Sequence, residues 1–299
     1  MSRCEETLSI GPPAPSSDTR SIATTLPPGS MRILVAEDNP INQQVITAQL
    51  KLLGVSAEVV GDGQAALVRW REGAFPLLLT DLQMPLMDGY QLAASIRREE
   101  KPPARMPIIA LTANALKDES NRCKAAGMDD YLTKPVALTA LEAVFERWLG
   151  RIRAVPARAP VTRPPERHRS QPAQVAREPV QAGVLARLVG DDPVELHAFF
   201  TDFGTSAARS ATEIALAMEN GQRSEAGFLA HRLKASARAV GALRLGNLCA
   251  HIESAAGSAD DAALVAPLVL FQDEVVAVRQ WIATHCGQQV AARNDQTAR

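Results

Sequence analysis

Five short apolar runs, each followed by a helical period, fill residues 32–150, and this alternation limits the possible fold more than any other feature of the chain. The runs are Ile33–Ala36, Ala57–Val60, Leu77–Thr80, Ile108–Leu111 and Tyr131–Leu132. Helical stretches lie between and after them, near 41–53, 62–73, 88–99, 115–126 and 137–149, with Gly54 and Gly127 at helix stops and Asp62 at a helix start. Five βα units predict a parallel sheet covered by helices on both faces. Such a sheet binds its ligands at the C-terminal edge of its strands. The residues that end the strands are therefore the candidate site.

The third run, Leu77–Thr80, leads into Asp81, and a turn-rich Met84-Pro85-Leu86-Met87-Asp88-Gly89 follows. A strand often ends in Asp because the side chain caps the next helix, so Asp81 alone decides nothing. The first run ends in Glu37-Asp38-Asn39, the fourth reaches Thr112, and the fifth is followed by Thr133-Lys134-Pro135. If the first and third strands are neighbours, two or three carboxylates converge, and like charges that close require a cation between them. An oxygen-only cluster suits Mg²⁺, which keeps waters for a phosphate. Thr112 offers a hydroxyl and Lys134 a cation; a residue before proline is held out of helix, so Lys134 can project over the strand ends.

These residues carry a resemblance. Segment 32–150 resembles a response-regulator receiver domain through Glu37-Asp38, Asp81 with Met84-Pro85 and Asp88-Gly89, Thr112-Ala113 and Lys134-Pro135. The resemblance implies a flavodoxin-like (βα)5 fold with sheet order 2-1-3-4-5. It implies that Asp81 accepts a phosphoryl group, and that Mg²⁺ is held by Asp38, Asp81 and the backbone carbonyl of Gln83, with Glu37 acting through water. Lys134 would neutralise phosphoryl charge, Thr112 would bond the phosphoryl oxygens, and Tyr131 would swing inward behind it. The opening Asp38-Asn39-Pro40-Ile41-Asn42 is more like receivers of multi-step hybrid kinase systems than those of DNA-binding regulators. A haloacid-dehalogenase-like phosphatase also uses a strand-end Asp, but it wants a second Asp two residues on, where Gln83 stands.

Beyond residue 150 the pattern changes. Residues 151–180 hold six prolines and seven arginines against two glutamates, which predicts an extended linker. From 181 to 286 strand alternation is absent and long helical periods appear near 192–219, 222–239, 241–256 and 261–284, which predicts an antiparallel all-α bundle. On the second of these helices Leu229, Leu233, Ala237 and Val240 share a face and His231 lies opposite, toward solvent, near Lys234 and Arg238. The segment resembles a histidine phosphotransfer (HPt) domain through His231-Arg232-Leu233-Lys234, with further matches at Phe199–Phe203 and Cys249–Glu253. It departs where Ala235 stands in place of the usual glycine. The resemblance implies that His231 carries phosphate, with Lys234 and Arg238 steadying its charge. His197 and His251 lack this neighbourhood and read as structural.

Residues 1–30 and 287–299 read as disordered tails, leaving a receiver over 31–150 and an HPt domain over 181–286. A net charge of −1 gives no sign of a nucleic-acid partner. Cys4, Cys123, Cys249 and Cys286 form no metal spacing and read as free thiols of a cytoplasmic protein. No apolar run suits membrane insertion. No stretch resembles a kinase nucleotide box, so the expected role is a phosphorelay intermediate between a sensor histidine kinase, of hybrid type, and a downstream response regulator. The alternative is a switch in which phosphorylated Asp81 gates docking of a partner on the helical domain. A 30-residue coil spans roughly 30 Å r.m.s., enough for the two modules to meet within one chain.

Overall fold

A computed structural model describes residues 32–113, 117–150, 178–257 and 262–297. The expected tail over 1–30 and most of the expected linker lie outside the described residues.

The first module runs β1 (Arg32–Ala36), α1 (Pro40–Leu52), β2 (Ser56–Val60), α2 (Gly63–Glu72), β3 (Leu78–Asp81), α3 (Gly89–Glu99), β4 (Ile108–Thr112), α4 (Lys117–Ala125), β5 (Asp130–Thr133) and α5 (Leu138–Leu149). All strand pairs are parallel and the order is β2-β1-β3-β4-β5. Alternate residues serve opposite faces of the sheet. Ile33 and Val35 join Leu79, Ile109, Leu141 and Phe145 on one side, while Leu34 and Ala36 join Leu78, Ile108, Leu92 and Ile96 on the other. Burial on both faces explains why these strands read as unbroken apolar runs.

Local chemistry sets the turns at the strand ends. Asn39 caps α1, accepting from the amides of Ile41 and Asn42, with Pro40 in the first turn. Asp88 caps α3 in a reciprocal box with Gln91. Gly89 lets that turn fold back on the strand, because a Cβ there would stand 2.2 Å from the carbonyl oxygen of Asp81.

The second module is all-α: α6 (Ala182–Val189), α7 (Pro193–Glu219), α8 (Arg223–Val240), α9 (Leu243–Ala256) and α10 (Ala262–Thr297). Phe200, Phe203, Leu233, Ile252 and Phe271 lie in its core. Gly241 ends α8 in the left-handed region at φ 87°, and any Cβ would meet the carbonyl oxygen of Gln181 at 2.3 Å.

Three boundaries differ from expectation. Helix α6 was not anticipated, although Leu185, Leu188 and Val189 are spaced for one buried face. Val180, assigned to the linker, is fully buried in the bundle, so the second module begins before residue 181. Helix α10 continues to Thr297, where a tail was expected from 287; no proline interrupts residues 287–297 to stop it. Among the described residues no helix is long and apolar enough to cross a membrane. Cys123 and Cys249 are buried free thiols.

The two modules are in contact. Ile41 and Val45 of α1 belong to the apolar cluster of the bundle rather than to either core of the sheet, and α1 meets α6, α7 and α8. Gln44 donates to Asp202 at 2.9 Å across the same boundary.

Candidate active site

Parallel register sets the site. Ala36 pairs with Thr80, so the residues that follow β1 and end β3 reach the same edge. Oxygens of Glu37, Asp38 and Asp81 lie within 4.8 Å of one another. Lys134, just after β5, places Nζ 2.6 Å from Asp81 Oδ2 and 2.5 Å from Glu37 Oε2, with all three side chains buried. Thr112 is buried at the end of β4, and its carbonyl accepts from the Lys134 amide at 2.7 Å. Glu37, Asp38, Asp81, Thr112 and Lys134, all five singled out from sequence, thus lie at one edge of the sheet. Gln83 is exposed just beyond, its amide 3.4 Å from Asp81 Oδ1. Tyr131 is 39% exposed, turned outward rather than inward.

The electrostatics are those of a crowded acidic pocket. Burial pushes the Glu37 carboxyl up to about 7, with the charge of Asp81 adding to it and Lys134 opposing. Asp38 is raised for the same reasons, burial first, against the pull of Arg232 and Lys134. Burial alone would depress Lys134, but Asp81 and Glu37 outweigh it and raise its affinity for a proton. Lys134 does not reach every carboxylate: Asp38 Oδ2 is buried and accepts no aligned hydrogen bond, although Arg232 Nε lies 2.6 Å away. Three carboxylates with oxygens within 4.8 Å of one another are the donor set of a hard divalent cation.

Asn39 and Asn42 complete the pocket and were not singled out as site residues from sequence. Asn42 donates to Glu37 at 2.9 Å, while Asn39 sends its amide nitrogen outward to the bundle. That nitrogen donates to the carbonyl of Arg232 at 2.9 Å and lies 3.4 Å from Ser236 Oγ, both on α8.

His231 is therefore not on a free solvent face, as its position opposite the apolar stripe suggests. It points away from the bundle core, yet the first module covers that side and the side chain is only 13% exposed. Nδ1 lies 2.7 Å from Glu253 Oε1 on α9, and Lys234 Nζ lies 2.5 Å from Glu253 Oε2. Burial works against the Glu253 charge, but His231 and Lys234 together hold its carboxyl down to about 2. The ring borders a cleft of about 470 Å³ whose opposite wall includes Leu82, Gln83 and Met84, the residues directly after Asp81. Arg238 lies over Gly246 of α9, and it is Arg232 that reaches the first module. His251 is exposed and His197 half-buried.

Two family models match the chain. Residues 33–146 match the response regulator receiver domain and residues 198–281 match the Hpt domain. The chain joins a receiver domain to an Hpt domain. These are the modules of phosphorelay signalling. The virulence sensor protein BvgS of Bordetella pertussis is 30% identical to this receiver–Hpt chain over 248 residues, 81% of the chain and 19% of BvgS. The sensor histidine kinase RcsC of Salmonella typhi is 40% identical over 123 residues, 41% of the chain and 13% of RcsC. The receiver–Hpt chain thus spans a fifth or less of these relatives. Among solved structures, the receiver domain of sensor histidine kinase PA1611 from Pseudomonas aeruginosa PAO1, with a magnesium ion in its active site cleft, is 42% identical. It covers 40% of this chain and 98% of its own, with a TM-score of 0.38.

Proposed function

We propose that this chain is a relay intermediate that moves a phosphoryl group between Asp81 and His231 within one molecule. The observation that supports this reading is the docked arrangement: Asn39, the residue after the acidic pair, grips the α8 backbone beside His231.

Each group has a chemical task. Asp81 is the carboxylate that takes a phosphoryl group from a phosphohistidine of a histidine kinase, hybrid in type. In the onward step the Nε2 lone pair of His231 attacks phosphorus, the bond from phosphorus to the Asp81 oxygen breaks, and that oxygen keeps the electron pair. Glu253, fixed at Nδ1, holds the ring proton there and leaves Nε2 as the nucleophile. Lys134, beside Asp81, and Lys234, 3.4 Å from Nδ1 of His231, would offset phosphoryl charge. Glu37, Asp38 and Asp81, with the Gln83 carbonyl, would hold Mg²⁺, which when bound neutralises phosphoryl oxygens. Thr112 bonds those oxygens, and Tyr131 reports the change by turning inward. His231 then passes the group to the aspartate of a downstream response regulator.

The test is phosphate labelling from a phosphorylated kinase. Label should appear first as an acid-stable acyl phosphate on Asp81, then as an acid-labile phosphohistidine on His231. Asp81→Asn should abolish both, and His231→Gln only the second. Mixing the two variants should restore little His231 label, because the step runs within one chain. Labelling in the mixture as fast as in the unaltered chain would defeat that claim. If His231→Gln left control of the downstream regulator intact, the chain would be a switch rather than a relay.

A further inference from the structure

Next to His231, Arg232 reaches across the boundary to Asp38. Its Nε lies 2.6 Å from Asp38 Oδ2, and its Nη2 donates to the Asp38 carbonyl at 3.3 Å. Lys134 engages Glu37 and Asp81 only, so Asp38 is the carboxylate of the three that takes its counter-charge from the other domain.

The pairing has an unusual form. Arg232 Nε and Asp38 Oδ2 are both buried, yet neither makes an aligned hydrogen bond. A salt bridge optimised for docking strength would present the guanidinium fork to the carboxylate in two parallel bonds. Here the contact is one of charge against charge, at one oxygen of a carboxylate that belongs to the acidic cluster. Lys134 offsets part of the negative charge of the three carboxylates, and Arg232 offsets a further part in the docked state. Docking has an independent hold through Asn39 on the α8 backbone and through the apolar seat of Ile41 and Val45. The Arg232 contact is therefore one of several that join the domains, and the one whose charge falls on the acidic pocket.

We infer that Arg232 is the counter-cation of the acidic pocket in the docked state, so that Hpt docking and Mg²⁺ binding oppose each other at Asp38. This rests on the reading that the three carboxylates hold Mg²⁺. A positive group fixed beside a ligand oxygen lowers its affinity for a second cation, and by linkage the cation loosens docking by the same factor. The consequence is a metal-sensitive latch. Mg²⁺ loading of the receiver weakens the cover over His231 without abolishing it, so transfer within the docked chain is balanced against release of that face to a second receiver.

Calorimetric titration of Mg²⁺ into the full chain tests this. Arg232→Ala should bind Mg²⁺ about 5- to 100-fold more tightly than the unaltered chain, the range of ordinary site coupling. Arg232→Lys, which keeps the charge, should stay close to the unaltered chain. Val45→Asp removes the apolar seat of α1 while leaving Arg232 in place, and should tighten Mg²⁺ to a similar degree. The double variant should bind no more tightly than Val45→Asp alone, since both act through one contact. Solution scattering of the unaltered chain should show expansion as Mg²⁺ saturates. Circular dichroism establishes that each variant is folded. Equal or weaker Mg²⁺ binding by Arg232→Ala overturns the role of Arg232, as does tightening by Val45→Asp alone. Absence of Mg²⁺ binding in every chain overturns this inference together with the metal reading beneath it.

Discussion

Glu253 stands 2.7 Å from Nδ1 of His231, so the ring that faces the receiver is aimed by a residue of a different helix. The carboxylate fixes both the tilt of the imidazole and the nitrogen that keeps the proton. Glu253→Ala should therefore slow the appearance of label on His231 by about 10- to 100-fold, with label on Asp81 unchanged. Rapid-quench labelling separates the two steps. Equal His231 rates in both chains would remove Glu253 from the account.

The same carboxylate gives a pH dependence with a definite sign. Its folded value, about 2, lies below the ordinary 4.5, because the bonds from His231 and Lys234 outweigh burial. A group depressed on folding contributes stability that is complete above about pH 5 and lost as pH falls toward 2. Urea unfolding of the unaltered chain and Glu253→Gln should differ most at pH 6 to 8, and the gap should narrow steadily between pH 4.5 and pH 3. A gap that widens in acid would show that the pair does not stabilise the fold.

Lys134 is the buried cation between Glu37 and Asp81, and removing it leaves two carboxylates facing each other out of water. Breaking a buried pair from one side costs about 3–5 kcal/mol. Lys134→Met, which keeps the volume, should lower the urea midpoint by a corresponding amount without added metal. Mg²⁺ should raise that midpoint more in Lys134→Met than in the unaltered chain, because a divalent ion replaces the missing charge. A midpoint insensitive to the substitution would mean that water already screens the pocket.

Much of this site is legible in the sequence because strand ends are local features. Once the five βα units are read, Glu37, Asp38, Asp81, Thr112 and Lys134 must fall on one edge, whatever the details of packing. The long helices of the Hpt domain are legible for a similar reason, through the spacing of Leu229, Leu233, Ala237 and Val240. Docking is not legible. Ile41 and Val45 look like ordinary apolar positions of an amphipathic helix, and nothing local says that they belong to the core of another domain. Arg232 and Glu253 fall in stretches that carry the Hpt resemblance, but their contacts are not legible for the same reason: their partners lie 194 and 22 residues away, and only the tertiary fold brings them together. The outward reading of His231 was right about the bundle and silent about the neighbour that covers it.

Ala235 stands where the related domains usually have glycine, and its surroundings predict what its methyl does. It is buried but absent from the apolar cluster of the bundle. Instead it borders a cavity of about 30 Å³, shared with Glu37, Lys134 and Val136 of the receiver and Ala239 of its own helix. The methyl therefore packs in the interface, beside a small cavity. Ala235→Leu should overfill it and separate the domains while the bundle stays folded, since the bundle core is not touched. Chemical modification of His231 should then accelerate, and label transfer from Asp81 should fall at least tenfold as the domains lose contact. Ala235→Gly should cost about 1 kcal/mol of helix stability and leave docking in place, with transfer equal or faster. Slower transfer in Ala235→Gly would mean that the methyl has become a required part of the interface.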